Sequence, residues 1–184
     1  MIRVEQLIAA KKGGPQEQAT LDRPLDHLLA CHRRIEERLE ILERAAFHLE
    51  SRRAEALEAM EGCLRFFDSN GVRHTADEEE SLFPRLRQRL TAEQLAYLDQ
   101  LERQHREADR LHAELRLVFA ELSAEAAGAP LAARVQAVAN DLGRLYRSHI
   151  ASEDQTFLPL ARQVLSWEQL RQLSNEMKSR RGIL

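Results

Sequence analysis

The chain has 184 residues, 31% of them charged and only 5% aromatic, with a formal net charge of −3. Its basic residues are interleaved with acids rather than pooled, which argues against a nucleic-acid surface, and no apolar run is long enough to cross a bilayer. Cys31 and Cys63 form neither a CxxC pair nor a disulfide framework, so the expectation is a cytoplasmic protein with reduced thiols. Ala, Leu, Glu, Arg and Gln dominate and β-branched residues are scarce, which predicts one all-α domain.

Residues 1–21 show little periodicity and contain Lys11-Lys12-Gly13-Gly14-Pro15, so they are read as an N-terminal arm, with residues 22–184 forming the domain. A first helix is expected to start near Pro24, with Asp22 as its cap. Its apolar positions Leu25, Leu28, Leu29, Ile35, Leu39 and Leu42 follow helical spacing. A second helix is expected from about Arg53 to Leu82, bent or split at Asn70-Gly71, with a helical turn after Pro84. Thr91-x2-Gln94 is a capping box that should open a third helix, ending before Gly128-Ala129-Pro130. A fourth helix should run from Pro130 to about Leu158, and a second capping box, Ser166-x2-Gln169, should open a short C-terminal helix. The sum is an up-down four-helix bundle with short extra helices.

The second and fourth helices carry the same metal-ligand spacing, His74-x3-Glu78 and His149-x3-Glu153. Residues four apart share one helix face, so each pair aims an imidazole and a carboxylate at one point. An offset of 75 aligns residues 74–98 with 149–173, and 11 of these 25 positions are identical, which implies a duplicated unit. The first and third helices add His32 and His105, 73 residues apart and close to the same offset. His32, His74, Glu78, His105, His149 and Glu153 all fall on faces that would otherwise be apolar core. Burying such groups without partners is costly, and a central metal removes the cost. Four imidazoles and two carboxylates are too many for one tetrahedral zinc and too rich in nitrogen for calcium or magnesium. They suit a pair of iron ions, with manganese or zinc less well matched. If each Glu bridges, about four of the twelve positions on two six-coordinate irons stay open; a solvent-derived bridge would fill two and leave roughly one per iron, as binding of O2, NO or peroxide requires.

The pattern His32, His74-x3-Glu78-Glu79-x2-Leu82-Phe83-Pro84, His105, His149-x3-Glu153-Asp154-x3-Leu158-Pro159 resembles the hemerythrin-like HHE cation-binding domain family, over about residues 22–178. The resemblance implies a non-haem di-iron centre inside a four-helix bundle. It implies His32, His74, Glu78, His105, His149 and Glu153 as ligands, with both glutamates bridging. Oxygen-carrying hemerythrins have His-x3-His on the third helix and an aspartate on the fourth. Here the third helix reads His105-Arg106-Glu107-Ala108-Asp109 and the fourth offers Glu153. The four-His, two-Glu set is closer to bacterial proteins that repair iron centres after nitrosative or oxidative stress. Those usually carry an N-terminal Cys-containing domain, whereas residues 1–21 hold no Cys. The expected function is binding of O2, NO or peroxide at two irons, in stress protection. The alternatives are a di-iron enzyme turning over the same ligands, or an iron donor for iron–sulfur cluster repair.

Other residues near the site have two readings each. Glu36 and Asp109, each four after a ligand histidine, are either additional acceptors or ligands at the site or solvated helix charges. His112 lies two turns, about 10 Å, beyond His105 and is read as a hydrogen-bonded core histidine. His27 is expected at the surface or at a cap, and His48 has no role. Tyr146, one turn before His149, is either a packed tyrosine with its hydroxyl satisfied elsewhere or a group acting on bound dioxygen. Cys31 and Cys63 are expected to be small buried helix residues.

Overall fold

The computed structural model describes residues 21–124 and 129–184, so the N-terminal arm, apart from Leu21, and residues 125–128 lie outside the described residues. All regular structure among the described residues is helical. Helix α1 spans Pro24–Phe47 and α2 spans Arg53–Phe66. The second rod continues through a π-helical segment, Phe67–Gly71, then α3 (Val72–Ala76), a second π segment, Asp77–Leu82, and α4 (Phe83–Arg87). Helix α5 spans Ala92–Ala124 and α6 spans Ala129–Ser152. The fourth rod passes through a third π segment, Glu153–Phe157, into α7 (Leu158–Val164), and α8 (Trp167–Ser179) closes the chain. Helix α1 packs on α2 and α6, and α5 packs on α6 and α2, so the four rods form a closed ring. No described helix is long and apolar enough to cross a membrane.

The start of α1 at Pro24 agrees with the sequence, but its cap does not. Arg23 occupies the cap position without a side-chain hydrogen bond, and Asp22 instead pairs with Lys178 of α8. Both capping boxes form. Gln94 N–H donates to Thr91 Oγ1 at 3.3 Å while Thr91 N–H donates to Gln94 Oε1 at 2.9 Å. Ser166 and Gln169 repeat this at 3.2 and 3.0 Å. The break expected at Asn70-Gly71 is the first π segment.

The other two π segments were not foreseen, and they occupy corresponding positions in the duplicated halves. Each is followed by a proline, Pro84 or Pro159, near the start of the next helix. Proline lacks the N–H for an i→i−4 bond and its ring collides with that carbonyl, so a regular α-helix cannot pass through it unstrained. A wider π turn just before the proline absorbs the mismatch without ending the rod.

The core is divided along the bundle axis. One apolar block includes Ile35, Leu39, Phe67, Leu111, Leu115, Leu142 and Ile150. The other includes Leu21, Leu28, Leu82, Phe83, Leu101, Phe157 and Met177. On the first three rods the metal-ligand candidates fall between the residues of the two blocks, and on the fourth His149 and Glu153 flank Ile150, the last residue of the first block on that rod. Helices α1 and α6 also approach closely at Gly143, where a Cβ would lie 2.0 Å from Glu43 Oε1. The missing side chain leaves room for the bidentate Glu43–Arg147 pair.

Candidate metal centre

The layer between the apolar blocks holds His32, His74, Glu78, His105, His149 and Glu153, none more than 5% exposed. They form two overlapping groups of four. His32, His74, Glu78 and Glu153 offer ligand atoms within 4.8 Å of one another, and so do Glu78, His105, His149 and Glu153. Each pocket thus has two imidazoles of its own, and both share the same two carboxylates. All six residues singled out in the sequence are brought together.

Every imidazole turns Nε2 inward. His32 Nε2 lies 3.1 Å from Glu153 Oε2, His74 Nε2 lies 3.2 Å from Glu78 Oε1, and His149 Nε2 lies 3.2 Å from Glu153 Oε2. His105 Nε2 is 3.0 Å from His149 Nε2 and 3.4 Å from Glu78 Oε2. Two nitrogens bound at right angles about 2.1 Å from one cation lie ~3.0 Å apart, so the His105–His149 spacing suits a shared ion. Buried carboxylate oxygens ordinarily find hydrogen-bond donors. Yet Glu78 Oε2 and both oxygens of Glu153 make none of acceptable geometry among the described residues. Lone pairs converging without donors are what cation ligands look like, and the residues present therefore fit a metal.

The outward nitrogens are held by other side chains. Asp154 Oδ1 is 2.6 Å from His32 Nδ1, and Glu79 Oε1 is 2.8 Å from His105 Nδ1. Gln104 Oε1 accepts from His149 Nδ1 at 3.1 Å. Such acceptors fix the tautomer and aim the free nitrogen lone pair inward. Asp154 and Glu79 each follow a ligand glutamate within a π segment. There the wider turn lets adjacent carboxylates serve the layer together, one facing the pockets and one reaching a neighbouring rod. Glu36 and Asp109 do not fill this role: Asp109 is exposed and Glu36 is half-buried. The signal that would have found the acceptors is the Glu-acid pair itself, Glu78-Glu79 and Glu153-Asp154, repeated at the offset of 75.

Electrostatics follow from burial. The Glu78 carboxyl is held well below the usual carboxylate range: burial opposes ionisation, but His74, His105 and His32 outweigh it. In the metal-free fold burial also opposes protonation of His32, yet the Asp154, Glu153 and Glu78 carboxylates beside the ring raise it to about 12. His105 is raised to about 10, with Glu78 and Glu79 overcoming burial. His74 is lowered to about 4, chiefly by burial, and so is neutral, as a metal-binding imidazole must be.

Residues 23–161 match the family of the hemerythrin HHE cation binding domain. The chain belongs to that family. No curated protein gives a significant match. Membership in the hemerythrin HHE family accords with the all-α fold and with a site that holds metal cations. The family-typical Leu82-Phe83-Pro84 stretch acquires a local reason in this chain. Phe83 is 1% exposed and lies parallel to the His105 ring, with centroids 6.0 Å apart, while Pro84 follows the π turn that carries Glu78.

Two histidines outside the pockets complete the layer's surroundings. His112 is buried, with Nε2 hydrogen-bonded to the Tyr146 hydroxyl at 3.0 Å, as the packed readings of both residues expect. Phe67 packs against both rings. His27, expected at the surface or at a cap, is instead fully buried, with Nε2 3.3 Å from Arg181 Nη2. Its reading failed because α8 and the C-terminal residues cover this face of α1, a contact local spacing cannot show. Burial lowers His27 to about 3, helped by Arg181, and lowers His112 to about 4, helped by Arg116. Both are therefore neutral in the fold. Because their folded values lie below the ordinary 6.5, stability is intact above that pH and is lost as pH falls through about 4 for His112 and about 3 for His27. For His112 the loss is roughly 3 kcal/mol. Urea unfolding of the metal-free protein between pH 7 and 4 should show this decline, and His112→Gln should flatten it. An unchanged slope in that variant would rule out His112 as a source.

Proposed function

We propose that this hemerythrin HHE protein holds two iron ions, one in the His32/His74 pocket and one in the His105/His149 pocket, bridged by Glu78 and Glu153. The observation that carries the proposal is the pair of four-donor pockets sharing both carboxylates. A single ion would leave at least two of the buried imidazoles without a purpose. Four nitrogens and two hard carboxylates favour iron over softer or purely oxygen-seeking cations. Iron so held supplies open positions at which O2, NO or peroxide binds, in the context of oxidative or nitrosative stress. The chain's own residues orient the ligands and keep bulk water out. Asp154, Glu79 and Gln104 fix three imidazoles, and the apolar blocks above and below close the layer. The buried free thiols Cys31 and Cys63 suit a cytoplasmic setting.

Iron-replete protein is expected to contain two irons per chain and to change its absorption spectrum when the reduced form meets NO or O2. The hard anionic donors favour the ferric state, so exposure to air should oxidise the reduced protein within minutes. Metal analysis giving one zinc or no metal per chain would overturn the di-iron assignment. A spectrum indifferent to O2, NO and peroxide would overturn the proposed ligand class while leaving the metal assignment standing.

A further inference from the structure

The duplicated halves relate α1 to α5 and the second rod to the fourth, and most of the polar layer obeys that relation. His32 corresponds to His105, and their outer acceptors Asp154 and Glu79 correspond as well. His149 corresponds to His74, and here the relation fails. The outer nitrogen of His149 is held by Gln104, the residue immediately before His105. The residue immediately before His32 is Cys31, whose sulfur is turned to Arg34 Nη2 at 3.0 Å. His74 Nδ1 is buried and has no hydrogen-bond partner among the described residues.

We propose, building on the two-ion reading above, that the pockets are unequal. The His105/His149 pocket is the high-affinity one because Gln104 positions His149, and the His32/His74 pocket releases its ion first. An acceptor on the outer nitrogen locks the imidazole's tautomer and ring angle and makes the inner nitrogen more basic. Losing such a partner costs 10- to 100-fold in metal affinity in other sites. Three of the four imidazoles have that support from a side chain, and His74 does not. Gln104 is thus a positioning residue acting through His149, and Cys31 marks the position where the other half has no equivalent acceptor.

The test loads the full chain with ferrous iron under argon, removes excess metal and follows release to a strong ferrous chelator by absorbance. Wild type is expected to give two phases of equal amplitude, one iron per chain each, with rates at least tenfold apart. Gln104→Leu should speed the slow phase toward the fast one. Gln104→Glu keeps an acceptor of the same reach and should preserve both phases. Circular dichroism of the metal-free variants checks that each is folded. Release of both irons in one phase from wild type, or a slow phase unchanged in Gln104→Leu, would overturn the proposal. A starting content below two irons per chain would instead overturn the two-ion reading, and the inequality with it.

Discussion

Glu78→Ala is expected to empty both pockets at once. Each pocket draws on Glu78, so in the proposed two-iron centre its loss removes a donor from both ions, whereas the loss of any one histidine removes a donor from one. Metal content should fall from two ions per chain to near zero, and Glu153→Ala should behave alike. His48→Ala is the proper reference, because His48 is exposed and lies away from the layer. Stability gives a second readout. An ion bound only by the folded state adds about 2.7 kcal/mol when present at 100 times its Kd. Two ions at that level raise the melting temperature of a chain this size by on the order of 10 °C. Chelation should therefore lower the Tm of the wild type substantially and leave that of Glu78→Ala almost unmoved. Retention of two ions by Glu78→Ala would refute the shared-carboxylate arrangement.

Asp77→Ala is expected to cost about 3–5 kcal/mol, although Asp77 touches neither pocket. Its carboxylate is fully buried and accepts from Arg181 at 2.7 and 3.2 Å and from Arg180 at 3.0 Å. Arg180 also reaches Ser81 Oγ at 2.6 Å, and Arg85 forms a bidentate pair with Glu176. The C-terminal residues are thus stapled to the π segment that carries Glu78. Burial pushes the Asp77 carboxyl up, and Arg181 and Arg180 offset this only in part. The pair's value therefore lies less in its attraction than in the cost of leaving Arg181, only 9% exposed, without a counter-charge. Thermal unfolding should show a drop of roughly 10 °C, together with partial metal loss as the Glu78 turn loosens. A change under about 2 °C would show that Arg181 finds other partners and that the staple contributes little.

The bundle was legible because helix-forming composition, the spacing of apolar positions and two capping boxes agree with one another. The six ligands were legible for a different reason. His-x3-Glu is a local pattern that fixes a shared face without knowledge of tertiary contacts, and its repetition at a constant offset removes chance as an explanation. What escaped notice depends on contacts between rods. His32 and Asp154 are 122 residues apart, as are His27 and Arg181 by 154, and no helical period connects them. Glu36 and Asp109 were natural candidates on α-helical geometry, which puts residues four apart on one face. The π turns changed that geometry at Glu79 and Asp154 and made the residue next to a ligand the useful one. Pro84 and Pro159 were the available clue, read as helix ends when they mark widened turns.

The matching of the two halves has a consequence for ancestry and for design. One helical hairpin, carrying a single His on its first arm and His-x3-Glu followed by an acid on its second, contains half of every essential group in the layer. Two identical hairpins placed about a twofold axis would supply four imidazoles, two shared carboxylates and two outer carboxylates. A small homodimer of that kind is self-complementary and closed. In it both ions would be identical by symmetry. The differences between Cys31 and Gln104, and between Asp77 and Ser152, are differences that only a fused chain can carry.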